Sequence, residues 1–599
     1  EEAPRPPDDP RIAFKTPYLN VRPDVRYVGD EACARCHAAI AKKFRQHPMG
    51  RSLAPVAQSG VTVRTKFTQQ GLTYRIEQHG ARLVHGESLL DAKGEVLTHV
   101  EEPVAYILGS GTRGRSYLIN RDGFLFQSPI SWYTQERKWA LSPNYAERNQ
   151  HFERPINSEC LSCHSNYADA VENTINRFRE PIFRGYAIGC ERCHGPGELH
   201  VELHQANPKW EGGDDYTIVN PRKLDRSERE SVCQQCHLQG QTRILRAGRG
   251  QFDFRPGLPL HLFWSVFVPP PDAGNRKAVS QVEQMYASRC FRASKGTRLE
   301  MGCISCHDPH EEPAVDQRIS YYRDRCLSCH EKKACSLPLA QRREKSKEDS
   351  CIACHMPRIG NTDIAHTALT DHRILRREIA DIGLVALPAR GTPLVHFHAD
   401  LVPANDPDVA RDFGIALTEF AVNNNQLQYG PAALSRLDPA VKRWPKDLPA
   451  LNAYAFALGM CNRKKEGLAA FEEVLRLAPD REATLVDAAG LTGYYLDRPD
   501  PDLSHKYWQR AIGVNPYNSR YHYELARLDA GAKNWESARD ACLAALRLNP
   551  ASADAQQLLV TCYRRLGDSR KAQAHFQILL SLRPNDGDQL RRWFDAESR

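Results

Sequence analysis

The chain predicts a mainly α fold in two parts: a cysteine- and histidine-rich part carrying a small β-rich insertion, then an α-solenoid. Three observations lead there. A five-residue Cys/His pattern occurs seven times before residue 360; apolar and polar residues alternate in stretches between residues 61 and 135; and after residue 440 a proline returns about every 34 residues.

The pattern reads Cys-x-x-Cys-His. Its copies are Cys33, Cys36 and His37; Cys160, Cys163 and His164; Cys190, Cys193 and His194; Cys233, Cys236 and His237; Cys303, Cys306 and His307; Cys326, Cys329 and His330; and Cys351, Cys354 and His355. Two thiols at this spacing can each add to a vinyl group of one haem, and the following imidazole can turn onto the iron, so the pattern is the attachment signature of haem c. With 19 Cys and 23 His in 599 residues, chance yields roughly 0.02 copies. Seven copies therefore predict seven covalently attached haems. A disulfide framework does not explain the His after every second Cys. A zinc site would combine two pairs, and seven is an odd number to combine.

In chain order, residues 1–26 are Pro-rich without a helical period and predict an extended arm; residues 27–400 form the heptahaem domain. In a haem-dense segment the macrocycles serve as the core, wrapped by short helices and loops. The insertion, residues 61–135, contains the alternating run Leu72 to Ile76 and two apolar runs around a turn at Asp122-Gly123, a hairpin signal. Its His79, His85 and His99 read as surface or turn residues. Residues 251–275 read as loop, although Leu262 to Val268 has the length of a buried strand.

After residue 400 the pattern stops and Ala and Leu become dense. Pro445, Pro479, Pro516, Pro550 and Pro584 are spaced 34, 37, 34 and 34 apart, the period of the tetratricopeptide repeat, with two antiparallel helices per unit. Leu525, Ala526, Ala538, Cys542 and Ala545, then Leu559, Tyr563, Ala572 and Phe576, fall where that repeat places apolar and small residues. The longer unit takes an insertion near Arg498, and a weaker unit lies at 407–444. The solenoid is expected over 401–599, with a capping helix near Trp593. Such repeats bind a protein partner or cover the neighbouring domain.

The formal charge is +8. Seven ferric haems, each about −1, bring it to about +1, and to about −6 on reduction, so the basic residues serve propionates rather than nucleic acid. No apolar run reaches a membrane span. Haem is attached outside the cytoplasm, and the polar start at Glu1 reads as a mature end left by signal-peptide cleavage, predicting a periplasmic or extracellular protein.

Each iron needs a second axial ligand to become a six-coordinate electron carrier, whereas an open position permits chemistry on a small molecule. Among the 16 remaining histidines, His47, His151, His200, His261, His310, His366 and His372 are the candidates. His204 competes with His200, while His396 and His398 read as linker residues. Methionine is scarce.

Several runs resemble those of multihaem c-type cytochromes with C-terminal tetratricopeptide repeats, in the broad nitrite reductase and hydroxylamine oxidoreductase superfamily. They are Cys193-His194-Gly195-Pro196-Gly197, Cys306-His307-Asp308-Pro309-His310, Cys354-His355-Met356-Pro357, Ile364 to Arg373, and Gly109 to Tyr117. The resemblance implies haems stacked as close pairs, with His47, His151, His200, His310, His366 and His372 as ligands. The chain lacks the Cys-x-x-Cys-Lys motif of a catalytic nitrite reductase.

The expected function is an electron conduit through seven bis-His haems, serving redox partner proteins or an extracellular acceptor. The alternative is an oxidoreductase acting on a small nitrogen or sulfur compound at one open haem. The Pro-rich arm further suggests a homopolymer, a cytochrome filament joined head to tail.

Overall fold

The computed structural model describes residues 9–58, 64–79, 82–270, 280–331, 335–358, 370–376, 392–403 and 405–596. The chain divides into two compact units, one of residues 1–51 and 187–453, the other of 52–186 and 454–599. This division crosses the linear one expected from the sequence: the β insertion groups with the helical repeats, and the attachment motifs split six to one.

The core cluster of the first unit joins Tyr18 and Val21 of the N-terminal segment to Val219, Leu258, Leu260, Phe263 and Val266, and takes in Val232 of the fourth-motif helix. Residues 251–275 are not all loop. Trp264–Val268 is the central strand of a three-stranded antiparallel sheet, between Thr242–Leu245 and Val395–His396. Its aromatic and β-branched residues suit a half-buried pleated surface, and Trp264 to Phe267 are all buried.

Helix Pro407–Asn423 packs on this sheet, with Asp406 as its N-cap. Its Asp412 accepts from Ser265 Oγ at 2.6 Å, and Arg411 donates to the Leu245 carbonyl at 2.8 Å and to both oxygens of Asp447.

The described part of the arm is folded rather than extended. Pro10–Ala13 is a turn of helix capped by Asp9, and Leu19–Val21 a 3-10 turn. The Arg255 guanidinium binds the carbonyls of Asn20, Arg22, Pro23 and Val25. Asn20 Nδ2 donates to the carbonyls of His194 and Pro196 at 2.9 and 3.2 Å. Residues 9–26 thus lie against their own unit.

In the second unit an antiparallel sheet runs through Arg64–Gln69, Leu72–His79, Arg82–Leu90, Val96–Leu108, Gly114–Arg121 and Phe124–Gln127, each strand paired with the next. Strands continue to Lys138–Leu141, beyond the expected limit of 135. The Asp122-Gly123 hairpin is present. Both central residues have positive φ, 52° and 87°, as a tight two-residue turn requires, and a Cβ on Gly123 would sit 2.5 Å from the Phe178 carbonyl oxygen.

His85 is fully buried on strand Arg82–Leu90, its Nδ1 2.8 Å from Ser128 Oγ and its ring edge-on to Tyr117, so it is a core residue rather than a surface one. Burial pushes it down to about 3.

The helical pairs follow the expected period. Pro479, Pro516, Pro550 and Pro584 each stand two residues past a helix, after Lys464–Leu477, Pro501–Val514, Trp535–Leu548 and Ser569–Leu582. Ala526, Ala538, Cys542, Ala545, Leu559 and Ala572 are all fully buried, as close helix crossings demand.

Helix Gly587–Ala596 closes the array, burying Leu590 and Phe594. Within the unit, Glu153 binds Ser519 and Asn549, and Phe124 meets Tyr517 edge-on at 5.5 Å, which is why the β region groups with the repeats. Among the described residues no helix is long and apolar enough to cross a membrane.

Candidate functional site

Each motif sits on a short helix or turn, where residues i, i+3 and i+4 share a face, so both thiols and the imidazole point to one side. Cys33 and Cys36 end helix Asp30–Cys36, with His37 as its C-cap. Cys160 lies in Ser158–Ser162, capped by Asn157, and Cys163 and His164 follow it. Cys193 and His194 close Glu191–His194. His237 ends Arg226–His237 and His330 ends Arg318–His330; Cys303 opens a 3-10 turn, and Cys351–His355 is capped by Ser350.

Buried carboxylates tie motifs together. Glu191 accepts from the backbone of Val28, Gly29 and Gly197, all at 2.8 Å, linking the first motif to the third. Glu230, from the helix of the fourth motif, accepts from Cys303 N at 3.2 Å and Cys303 Sγ at 3.1 Å in the fifth.

The first thiols of different motifs come within hydrogen-bonding reach: Cys33 with Cys190, Cys233 with Cys303, and Cys326 with Cys351. Cysteine is among the most buried residue types in ordinary packing. The motif cysteines are half-buried or exposed, as are Cys290, Cys335 and Cys461 outside the motifs, whereas Cys542 and Cys562 in the repeats are buried.

Three imidazole pairs lie close together with nearly parallel planes. His37 and His200 have ring centres 6.3 Å apart and planes 16° from parallel; His194 and His310, 6.0 Å and 13°; His307 and His372, 6.4 Å and 24°. A metal-bound imidazole nitrogen lies about 2 Å from the ion with its ring centre about 1 Å further, so two rings on opposite sides of one ion stand about 6 Å apart. The arrangement fits an iron between each pair.

Burial pushes His194 and His372 down, and His307 to about 4, keeping them neutral, the form that ligates a metal. Several Nδ1 atoms are anchored, leaving Nε2 to point away: His194 to the Val219 carbonyl at 2.8 Å, His372 to Thr370 at 2.9 Å, and His355 to Leu375 at 2.7 Å. His200 Nδ1 is held by Asp215 at 2.7 Å.

The other candidates stand differently. His47 stacks on Phe44 at 5.9 Å, and its Nδ1 accepts from Met49 N–H at 3.2 Å. His151 lies in the second unit, as does the second motif, and its Nδ1 is 2.7 Å from Glu87 Oε1. Burial opposes protonation of His151, but Glu87 outweighs it and the pKa is raised.

His261 faces no motif histidine among the described ring contacts. Its ring lies 5.9 Å from that of His398, which in turn lies 6.2 Å from that of His396, and burial pushes His261 down to about 4. His396 and His398 are not linker residues. One is in a strand, and the other is 4% exposed with Nε2 2.9 Å from Gln234 Oε1 of the fourth motif. His366 lies outside the described residues.

Sequence reasoning missed Asp215, whose Oδ2 also meets His204 Nε2 at 3.0 Å. The three groups are close enough to hold a cation. Despite the cost of burial, the hydroxyl and N–H of Thr217 and the two histidines pull Asp215 down to about 2. The one signal in the sequence was an Asp among polar residues shortly after His200 and His204.

Residues 130–195, which hold the second and third motifs, match the family described as cytochrome c554 and c-prime. No curated protein matches the chain. Solved structures with a likeness include the MamA RS-1 ArsTM double mutant (17% identity, 30% of this chain and 97% of that one, TM-score 0.27). MamA 41-end from Desulfovibrio magneticus RS-1 is 18% identical over 29% of this chain and 96% of that one, TM-score 0.26. YrrB, titled a TPR protein with an unusual peptide-binding site, is 19% identical over 29% and 86%, TM-score 0.25. At such TM-scores the helical repeat stands on its own period, helix ends and burial. The chain thus joins a part similar to c-type cytochromes, with covalent haem attachment residues, to a part built of tetratricopeptide-like helix pairs.

Proposed function

We propose that this chain is a multihaem c-type cytochrome that carries seven haem c groups and conducts electrons between redox partners outside the cytoplasm. The observation that carries this reading is the set of three near-parallel imidazole pairs at 6.0 to 6.4 Å. Haem c, when bound, supplies a one-electron iron couple held by two thioethers and its axial ligands.

The chain's own residues then have defined parts. His37 with His200 hold the first motif's iron, His194 with His310 the third's, and His307 with His372 the fifth's. In every case the second ring follows a motif two further along the chain. The reason is steric: His310, three residues past His307, cannot pass round a macrocycle to its other face, but it can reach a neighbour. The thiol pairs support close packing, because thiols of different motifs that touch bring their attachment edges together: first with third, fourth with fifth, sixth with seventh. In the second unit, His151 serves the second motif.

A protein partner docks on helical faces of the repeats away from Ser519 and Asn549, which the β region takes.

Intact mass and electron paramagnetic resonance of the matured protein test the reading. Seven covalent haems, all low-spin, are expected. Six or fewer would overturn the count, and a stoichiometric high-spin iron would point to the open-site oxidoreductase instead.

A further inference from the structure

The candidate axial rings are not anchored alike. The Nδ1 atoms of His194 and His372 meet neutral backbone carbonyls, at 2.8 and 2.9 Å. His310 Nδ1 is 3.5 Å from Asp308, too far for a good hydrogen bond. His200 Nδ1 instead meets a carboxylate oxygen, Asp215 Oδ2, at 2.7 Å.

That carboxylate is itself fixed. Its side chain is 17% exposed, its other oxygen accepts from Thr217 N at 2.8 Å and from the Thr217 hydroxyl, and His204 approaches the shared oxygen at 3.0 Å. The His200 and His204 rings meet edge-on at 4.5 Å. With its Nε2 turned to Asp215, His204 cannot present that nitrogen to an iron. His200 can, and its ring centre already lies 6.3 Å from that of His37.

We infer that Asp215 is a positioning residue for the first motif's iron, holding His200 as a strongly electron-donating ligand and setting that iron's reduction potential below those of the third and fifth motifs. The inference rests on the ligation proposed above. Its physical basis is that a carboxylate accepting the N–H of an axial imidazole fixes the ring and raises its basicity, which favours the ferric state. A carbonyl does this less, because it carries no net charge. His204 moderates the effect by sharing the same oxygen. The first motif thereby becomes a low-potential end of the run that links the first, third and fifth irons.

Spectroelectrochemical titration of the full holoprotein tests this, with Asp215→Asn, His204→Ala and His200→Met compared with the unchanged chain. Asp215→Asn is expected to shift one of the seven reduction equilibria towards the ferrous state by about tenfold, 59 mV for a one-electron couple. Low-spin signals should be retained, with altered g-anisotropy at that one iron. His204→Ala should shift the same iron the opposite way, so a misfolded Asp215 variant would not leave the matter open. If both variants leave every potential and every low-spin signal in place, the role of Asp215 is wrong. If His200→Met also changes no iron's ligation spectrum, the proposed ligand pairing is wrong instead.

Discussion

Two helices of 13 residues show the contrast between the halves of this chain. Arg318–His330, which carries the sixth motif, buries none of its residues, and its Leu327 is 38% exposed. Ala553–Arg565, in the repeats, buries six, including Leu559, Val560, Cys562 and Tyr563. Each large apolar side chain buried contributes roughly 1.5–3 kcal/mol, so the second helix is held by protein contacts alone. The first is not, and neither are Leu339–Lys345 and Cys351–His355, which also bury nothing. A helix with no buried face lacks the tertiary packing that stabilises short helices in water. In these bare helices an attached haem would supply the missing packing, whereas the motif helix Arg226–His237 already buries five residues.

The largest effect that could break this comparison is loss of the haems. In protein made without haem attachment, limited proteolysis with mass mapping should find cleavage concentrated over residues 318–355 while residues 519–596 resist. Equal cleavage of both would show that the motif helices hold themselves. Next in size, Leu559→Ala should cost the repeats about 2–5 kcal/mol through the cavity it leaves in a fully buried site. Thermal melting followed by helical circular dichroism reads this cost, and haem stoichiometry by intact mass should not change.

A narrower experiment sharpens the ligand assignment. His310→Met should alter one iron of seven, and that iron should be the third motif's, because His310 faces His194. The same substitution in a chain lacking Cys303 and Cys306 separates the cases. The altered spectrum should persist when the fifth motif cannot attach its haem. Its disappearance would assign His310 to the fifth motif.

Much of this was legible in the sequence, and the reasons are local. The Cys-x-x-Cys-His copies are contiguous, so their chemistry is readable without a fold. The Asp122-Gly123 hairpin and the prolines after each repeat unit are also short-range signals, and the structure has them where the residues called for them.

What depends on tertiary placement was not legible. Leu262 to Val268 has the length of a buried strand, but its pairing partners Thr242–Leu245 and Val395–His396 lie too far along the chain to be read from it. His85 alternates like a surface strand residue, yet its face is the interior of the sheet. His396 and His398 lie between composition blocks, and only the sheet and Gln234 account for their burial. The cross-motif pairing of His200, His310 and His372 could not be counted from sequence, since each follows a motif whose own histidine it does not face.

The smallest effect concerns pH and the repeats. His575, on helix Ser569–Leu582, stacks on Tyr563 with ring centres 5.5 Å apart, and its Nδ1 is 2.7 Å from Gln556 Oε1. Burial lowers its pKa, since the charged ring would leave water. In the unfolded chain histidine titrates at about 6.5. Below that pH the unfolded state therefore binds a proton that the folded state resists, and acid favours unfolding. The contribution of His575 is complete above about 6.5 and is lost as pH falls towards the lowered folded value. Melting the unchanged chain and His575→Gln at about pH 7.5 and about pH 5.5 isolates this term. Other titrating groups cancel in the difference between the two proteins. The unchanged chain should lose more stability on acidification than His575→Gln does. Equal losses would mean that the His575 ring takes up its proton in the folded repeats as readily as in water, and that this part of the repeat core is more open than its packing indicates.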